Sequence, residues 1–318
     1  MRILIVTPTA ADSRSGNRIT ANRWAGILRK LGHRDQIRSS FSGELADCLI
    51  ALHAQRSAAS VRRFHAACSL KPIVLALTGT DLYRDIKSKP AARRSLQLAT
   101  RLVVLQQDAL HWIPGPLQRK TVVIYQSAMA PRSRAVPRKR FYDVAVVGHL
   151  RAVKDPFRAA IAVRRLPSHS RIRIIHCGAA LSETVRDRAL REMQSNARYH
   201  WLGNLTHGRA LRLLDRSRLL VSSSRIEGAS NTIGEALATH VPTVSSRISG
   251  AVGMLGKDYH GFFDYGDTAG LRQLLLRAET DTAFYETLQE QCRQRAPLVE
   301  PQREFQEWAT LIRELEIG

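Results

Sequence analysis

The residues best suited to chemistry lie in one stretch, Leu219-Leu220-Val221-Ser222-Ser223-Ser224-Arg225-Ile226-Glu227-Gly228-Ala229-Ser230-Asn231-Thr232-Ile233-Gly234-Glu235-Ala236-Leu237. An apolar run, a set of small polar residues and an apolar pattern of helical spacing read as strand, loop and helix. Gly228, Ala229, Ser230, Asn231 and Thr232 carry small side chains. A diphosphate can therefore approach the free backbone N–H groups of the helix start, where the helix dipole also favours negative charge. Glu235 falls one turn into the helix and can accept hydrogen bonds from two vicinal ribose hydroxyls, while Glu227, in the loop, can reach the hydroxyls of a sugar. The plainer reading makes Thr232-Ile233-Gly234-Glu235 a capping box. That accounts for Glu235 alone and leaves Glu227-Gly228 and the small residues unexplained.

A second stretch, Val146-Val147-Gly148-His149-Leu150-Arg151-Ala152-Val153-Lys154-Asp155-Pro156, runs from a strand into a loop that starts on Gly148 and carries His149, Arg151 and Lys154. Cations aimed at departing phosphates lower the barrier to breaking a glycosyl-phosphate bond without a metal. A solvated basic loop is the competing reading. No Asp-x-Asp pair stands at a strand end, and Glu279-x-Asp281 falls in a polar helical stretch, so neither a metal nor another cofactor is expected. Dinucleotide, P-loop, zincin and nucleophile-elbow signatures are missing from the sequence as well.

Two loops in the first half have the makings of a small-oxyanion site: Pro8 to Arg18 and Thr78-Gly79-Thr80-Asp81-Leu82-Tyr83. Gly16, Asn17, Arg18 and Thr80 offer amides, a hydroxyl and a guanidinium fork. Simple turn formation explains Gly16 and Asn17 equally well. His53, at a strand end, is a base or an acceptor-site group in one reading and a structural histidine in the other.

The elements that must hold these loops follow from repeated short apolar runs, each trailed by an amphipathic segment, the pattern of parallel sheets covered by helices. Strands are expected at Ile3 to Thr7, Cys48 to Leu52, Ile73 to Leu77, Leu102 to Leu105 and Val122 to Tyr125. A second series is expected at Val144 to Val147, Ile172 to His176, His200 to Leu202, Leu219 to Ser223 and Thr243 to Ser245. A helix over Ile19 to Leu31 ends on Gly32, and another covers Phe305 to Leu315 after Pro301. Between the series, Ala130 to Arg140 holds two prolines, many charges and almost no large apolar side chain, which reads as a linker. The expected organisation is α/β: doubly wound domains at 1–130 and 142–300, a linker at 131–141, and a terminal helix at 301–318 packing back across the domains. Open sheets of this kind bind ligands at the carboxyl ends of their strands, so a central cleft is the expected site.

Length and composition agree with this organisation. With 318 residues, 44% of them hydrophobic, the chain can bury two medium cores. No run approaches the ~18 unbroken apolar residues of a membrane span, and the opening MRILIVTPTAAD has no leader pattern. A cytoplasmic protein without stable membrane association is expected. Cys48, Cys68, Cys177 and Cys292 are scattered, with neither disulfide nor zinc spacing. The net charge of +22 raises nucleic-acid binding as a hypothesis. The basic residues are spread over helices, however, and only Arg132 to Arg140 clusters, so no nucleic-acid partner is expected. Oligomeric state leaves no signal.

The segments Glu227 to Glu235, Gly148 to Lys154, Trp201-Leu202-Gly203-Asn204-Leu205 and Pro242-Thr243-Val244-Ser245-Ser246 with Gly250 resemble, in order and spacing, the carboxyl-terminal domain of glycosyltransferase family 4. The resemblance implies the GT-B fold, two Rossmann-like domains with the acceptor side first and the nucleotide-sugar side second. It assigns the donor sugar and ribose to Glu227 and Glu235, and the diphosphate to the basic loop through Lys154. That family's usual arginine after the loop glycine is His149 here, which shifts weight to Arg151 and Lys154.

A narrower likeness spans nearly the whole chain. Met1 to Pro8, Leu52 to Ser60, Leu77 to Arg84 and Gly148 to Arg158 resemble the selenosugar synthases of the selenoneine pathway, the SenB family. This implies transfer of a hexose from UDP-N-acetylglucosamine or UDP-glucose onto selenophosphate, giving a 1-selenosugar, UDP and phosphate. It also implies acceptor contacts from Gly16, Asn17, Arg18, Thr78, Gly79, Thr80 and Asp81. A conventional family 4 enzyme with a lipid or polysaccharide acceptor, a nucleotide-sugar epimerase and a nucleic-acid-binding protein remain as alternatives.

Overall fold

A computed structural model describes residues 1–9, 16–131, 136 and 140–317. Residues 10–15 of the first loop and residues 132–135 and 137–139 of the expected linker lie outside the described residues. Among the described residues twelve strands form: β1 (Arg2–Val6), β2 (Arg34–Arg38), β3 (Cys48–Leu52), β4 (Ile73–Leu77), β5 (Arg101–Val104), β6 (Thr121–Val123), β7 (Tyr142–Val147), β8 (Ile172–Cys177), β9 (Tyr199–Trp201), β10 (Leu219–Ser222), β11 (Thr243–Ser246) and β12 (Phe262–Phe263). They build two six-stranded sheets, ordered β2-β1-β3-β4-β5-β6 and β12-β11-β10-β7-β8-β9. All pairings in both are parallel. Within each sheet helices connect successive strands, except for the helix-free link from β2 to β3, so each sheet is doubly wound, as the sequence pattern predicts.

Two strands escape the pattern. β2 has the sequence Arg-Asp-Gln-Ile-Arg and alternates exposed with half-buried positions, the signature of an edge rather than of an interior parallel strand. β12 has only two residues, too few for any periodicity.

The chain divides into two compact units, one of residues 1–126, 227–229 and 301–318, the other of residues 127–226 and 230–300. In the first, β3 and β4 are buried at every position, and successive residues serve opposite faces. Leu49, Leu75 and Val104 pack with Val61, Phe64 and Leu96 on one side. Ile50, Val74 and Val103 pack with Trp24 and Leu28 on the other. The helix Gly16–Lys30 supplies that second face and stops at Gly32, whose φ of +86° suits glycine. The terminal helix runs Pro301–Ile317, longer than the sequence suggests. It lies on the same face, where Trp24 Nε1 donates to Glu304 at 2.9 Å and the Trp24 and Trp308 rings meet edge to face at 4.8 Å.

In the second unit the strand order is that of a dinucleotide-type fold, with the sequence direction reversing between β7 and β10. Ligands of open α/β sheets sit outside the carboxyl ends of the strands at such a reversal. The two loops singled out above leave these very strands.

Candidate functional site

The loop after β7 is held by its neighbour. Gly148 N donates to Cys177 O at 2.9 Å, and Leu150 N donates to Ala179 O at 2.9 Å. Gly178 packs so tightly here that a Cβ on it would lie 1.8 Å from Gly148 O. His149 Nδ1 accepts from Ala179 N at 3.1 Å, which places the proton of the neutral ring on Nε2. Beneath, His176 is buried between Tyr199 Oη at 2.9 Å and Gly148 O at 3.2 Å. Its burial lowers the imidazole pKa to about 4, against a smaller opposite effect of the Gly148 carbonyl.

A single turn of 3-10 helix, Ala152–Lys154, carries the basic residues onward. It docks on the loop that leaves β10: Arg225 N donates to Val153 O at 2.8 Å, and Ser223 Oγ donates to Lys154 O and Asp155 O at 3.2 and 2.9 Å. Arg151 is exposed and Lys154 half-buried. The two motifs found separately in the sequence are thus joined, at the β7–β10 reversal, by a backbone hydrogen bond and by the Ser223 hydroxyl.

The helix that follows runs Asn231–Ala238, with Ser230 as its N-cap and Ser230 Oγ accepting from Ile233 N at 3.4 Å. Thr232 Oγ1 donates to Val147 O at 3.3 Å, tying the first helical turn to the end of β7. Glu235 is the fifth helical residue, too deep to cap, and its Oε1 meets His207 Nε2 at 2.8 Å. The capping-box reading therefore does not hold: the cap is Ser230, and Glu235 faces another partner. His207 was not singled out by sequence reasoning, since a histidine 28 residues away has no spacing relation to the motif.

Glu227, Gly228 and Ala229 belong to the first unit. Gly228 lies against the loop after β4, where a Cβ on it would come within 2.4 Å of Thr78 O. Asp81 organises that loop: its buried carboxylate accepts from Ala54 N at 3.0 Å, Thr78 N at 3.1 Å and Gly79 N at 2.8 Å. Asp81 thus builds the loop through three amides. The loop continues into a π-helical turn, Asp81–Asp85, a form often found at functional sites.

His53 sits at the end of β3 with a left-handed φ of 73° and is buried. Its Nδ1 accepts from Arg56 N at 3.3 Å, so the neutral ring's Nε2 donates to Thr80 Oγ1 at 3.1 Å. Accepting this bond on one of its two lone pairs, the half-buried Thr80 hydroxyl keeps its own proton to donate elsewhere. Gly16, Asn17 and Arg18 open the helix Gly16–Lys30. Among the described residues no group of three or more His, Cys, Asp or Glu side chains could hold a metal ion, and no helix is long and apolar enough to cross a membrane.

The family model described as glycosyl transferases group 1 matches residues 132–297. Among solved structures, HepE of Anabaena in complex with UDP superposes with a TM-score of 0.78 at 14% identity, over 98% of this chain and 99% of that one. Sucrose-phosphate synthase from Thermosynechococcus elongatus gives a TM-score of 0.80 at 14% identity, over 99% of each chain. A trehalose-phosphate synthase from Burkholderia vietnamiensis gives 0.68 at 12%, over 96% of this chain and 81% of that one. Among curated proteins none matches the sequence.

Proposed function

The chain belongs to the glycosyl transferases group 1 family and has the GT-B fold, and from that premise we propose that it transfers a hexosyl group, N-acetylglucosaminyl or glucosyl, from a UDP-sugar to selenophosphate. The observation that carries the donor half is the docking of the Arg151–Lys154 turn on the loop after β10, through Arg225 N and Ser223 Oγ. It brings a cationic loop and a helix start to one strand reversal. Uridine as the nucleoside is supported by HepE, which was solved with UDP and with UDP-glucose.

In this reading Glu235 holds the ribose and Glu227 orients the transferred sugar. Gly148, His149 and the amides from Gly228 to Thr232 take the diphosphate, and Arg151 with Lys154 stabilise it as it leaves. Gly16, Asn17, Arg18 and the Thr78 to Asp81 loop receive the acceptor. Selenium attacks C1 of the sugar while the bond from C1 to the β-phosphate oxygen breaks, its electron pair leaving on UDP. Water then cleaves the P–Se bond, yielding phosphate and the 1-selenol. Selenium is a stronger nucleophile than a hydroxyl, so no strong general base is called for. The acceptor assignment rests on the likeness to selenosugar synthases and on the polar, small-residue loop after β4.

The reaction needs neither metal nor cofactor in this scheme. A cytoplasmic setting suits a selenol product, and among the described residues Cys48, Cys68, Cys177 and Cys292 are all free thiols. Replacing Glu235 by Ala tests the donor assignment. UDP-sugar turnover is expected to fall at least ~100-fold with an unchanged thermal midpoint, measured by UDP release and by calorimetry. Full turnover in that variant contradicts the assignment.

A further inference from the structure

Neither helix formation nor core packing calls for the contact between His207 and Glu235. Nε2 of the ring lies 2.8 Å from Oε1, and the side chains are 74% and 16% exposed respectively. The imidazole covers the carboxylate from the solvent side and adds little to the core. Its placement is nonetheless firm. His207 is the first residue of the helix His207–Asp215, and this segment's Leu205, Ala210 and Leu213 pack on Val147, Ile175 and Cys177. Thr206 O accepts from Arg209 N and Ala210 N at 3.0 and 2.9 Å, closing the first turn. A packed element therefore delivers the ring to Glu235. On the inner side, the Cys177 thiol is pushed up to about 12, by burial first and by the charge of Glu235 second, so it stays neutral and leaves His207 as the polar partner that can orient the carboxylate.

A carboxylate has about four lone-pair sites. With one taken by His207, those left can accept two hydroxyls, but only in the orientation that the His207 bond imposes. Resting on the donor reading given above, we infer that His207 is a positioning residue: its Nε2–H fixes the plane of the Glu235 carboxylate so that the 2′- and 3′-hydroxyls of one ribose are accepted together. The ligand class this selects is a ribonucleoside diphosphate over its 2′-deoxy counterpart.

The test uses the full chain with UDP and 2′-deoxy-UDP as probes, titrated calorimetrically, and UDP-glucose for turnover. His207→Ala is expected to weaken UDP about five- to tenfold, the scale of one ordinary hydrogen bond's net contribution, since the bond lost orients the carboxylate rather than touching the nucleotide. It should raise KM for UDP-glucose by a similar factor while leaving kcat within about twofold. The preference for UDP over 2′-deoxy-UDP narrows, because a carboxylate free to turn serves a single hydroxyl nearly as well. His207→Gln, whose amide donates in the same direction, restores most of the affinity and of the discrimination, which a merely structural role for the ring would not produce. Unchanged affinity and discrimination in His207→Ala, with Glu235→Ala impaired, overturn the inference and leave the donor reading standing. Parent-like UDP binding by Glu235→Ala removes the donor reading, and the inference with it.

Discussion

His176 shows how a single residue ties the loop after β7 to the pH of the medium. The ring is buried, accepts or donates at both nitrogens, and has its pKa held down to about 4, whereas an unfolded chain would protonate it near ~6.5. Above ~6.5 the ring is neutral in both states and the linkage vanishes. Between ~6.5 and ~4 the unfolded chain binds the extra proton, so stability falls as pH falls, by about 3 kcal/mol at the bottom of the window. Denaturant melts of the parent and of His176→Asn at pH 7.5 and 4.5 check this: the parent should lose that increment and the variant should not. The sequence marks Cys177 beside it as a buried hydrophobe, and the structure agrees. His176, by contrast, offers no sequence signal, because its role depends on Gly148 and Tyr199, which only folding brings to it. The same holds for His207 and for the His53 bond to Thr80. Glu227, Glu235, Arg151 and Lys154 stand out as candidates in the sequence because the pattern around them is local: a helix start, small residues and cations after a strand.

At the scale of elements, the interior strands and the edge strands β6 and β9 were legible, whereas the edge strands β2 and β12 were not. β3 and β4 follow directly from unbroken apolar runs, since both faces of a parallel strand are covered. β2 and β12 earn their place only by pairing with a neighbour. The terminal helix was legible in type but began four residues earlier than its apolar pattern indicates, because Pro301 fits the first turn without needing a donor. This helix completes the face of the first sheet through Trp308, fully buried against Trp24. Its Nε1 is buried and has no hydrogen-bond partner among the described residues, so the residue contributes shape and area rather than polarity. Trp308→Ala should cost about 3–5 kcal/mol from lost contacts and the cavity left behind. Trp308→Phe should cost under ~1.5 kcal/mol, since it also removes an unsatisfied donor. Chemical denaturation of both variants checks the ordering, and a phenylalanine variant as unstable as the alanine one contradicts it.

For the whole molecule, the repeated β-α pattern was enough to read two doubly wound units, but not which stretches each unit takes. The chain returns to the first unit at residues 301–318, the segment expected as the terminal helix, and also at residues 227–229, a short return that leaves no compositional trace. The charge of +22 also looks different once the side chains are placed. Arginines do much internal bonding: Arg198 donates to the carbonyls of Pro167, Ser170 and Ile172, Arg295 to those of Gly253 and Met254, and Arg158 to that of Gly266. Part of the positive charge thus serves carbonyls at the ends of elements, which weakens the case for a polyanion partner. What the proposed function adds to the family membership is the acceptor. The most direct measurement is to incubate the protein with UDP-N-acetylglucosamine or UDP-glucose, together with selenophosphate, orthophosphate or a simple alcohol, and to follow UDP release and product mass. The account predicts UDP release that depends on selenophosphate, and a hexose product carrying the isotope pattern of one selenium. UDP release with the alcohol and none with selenophosphate contradicts it.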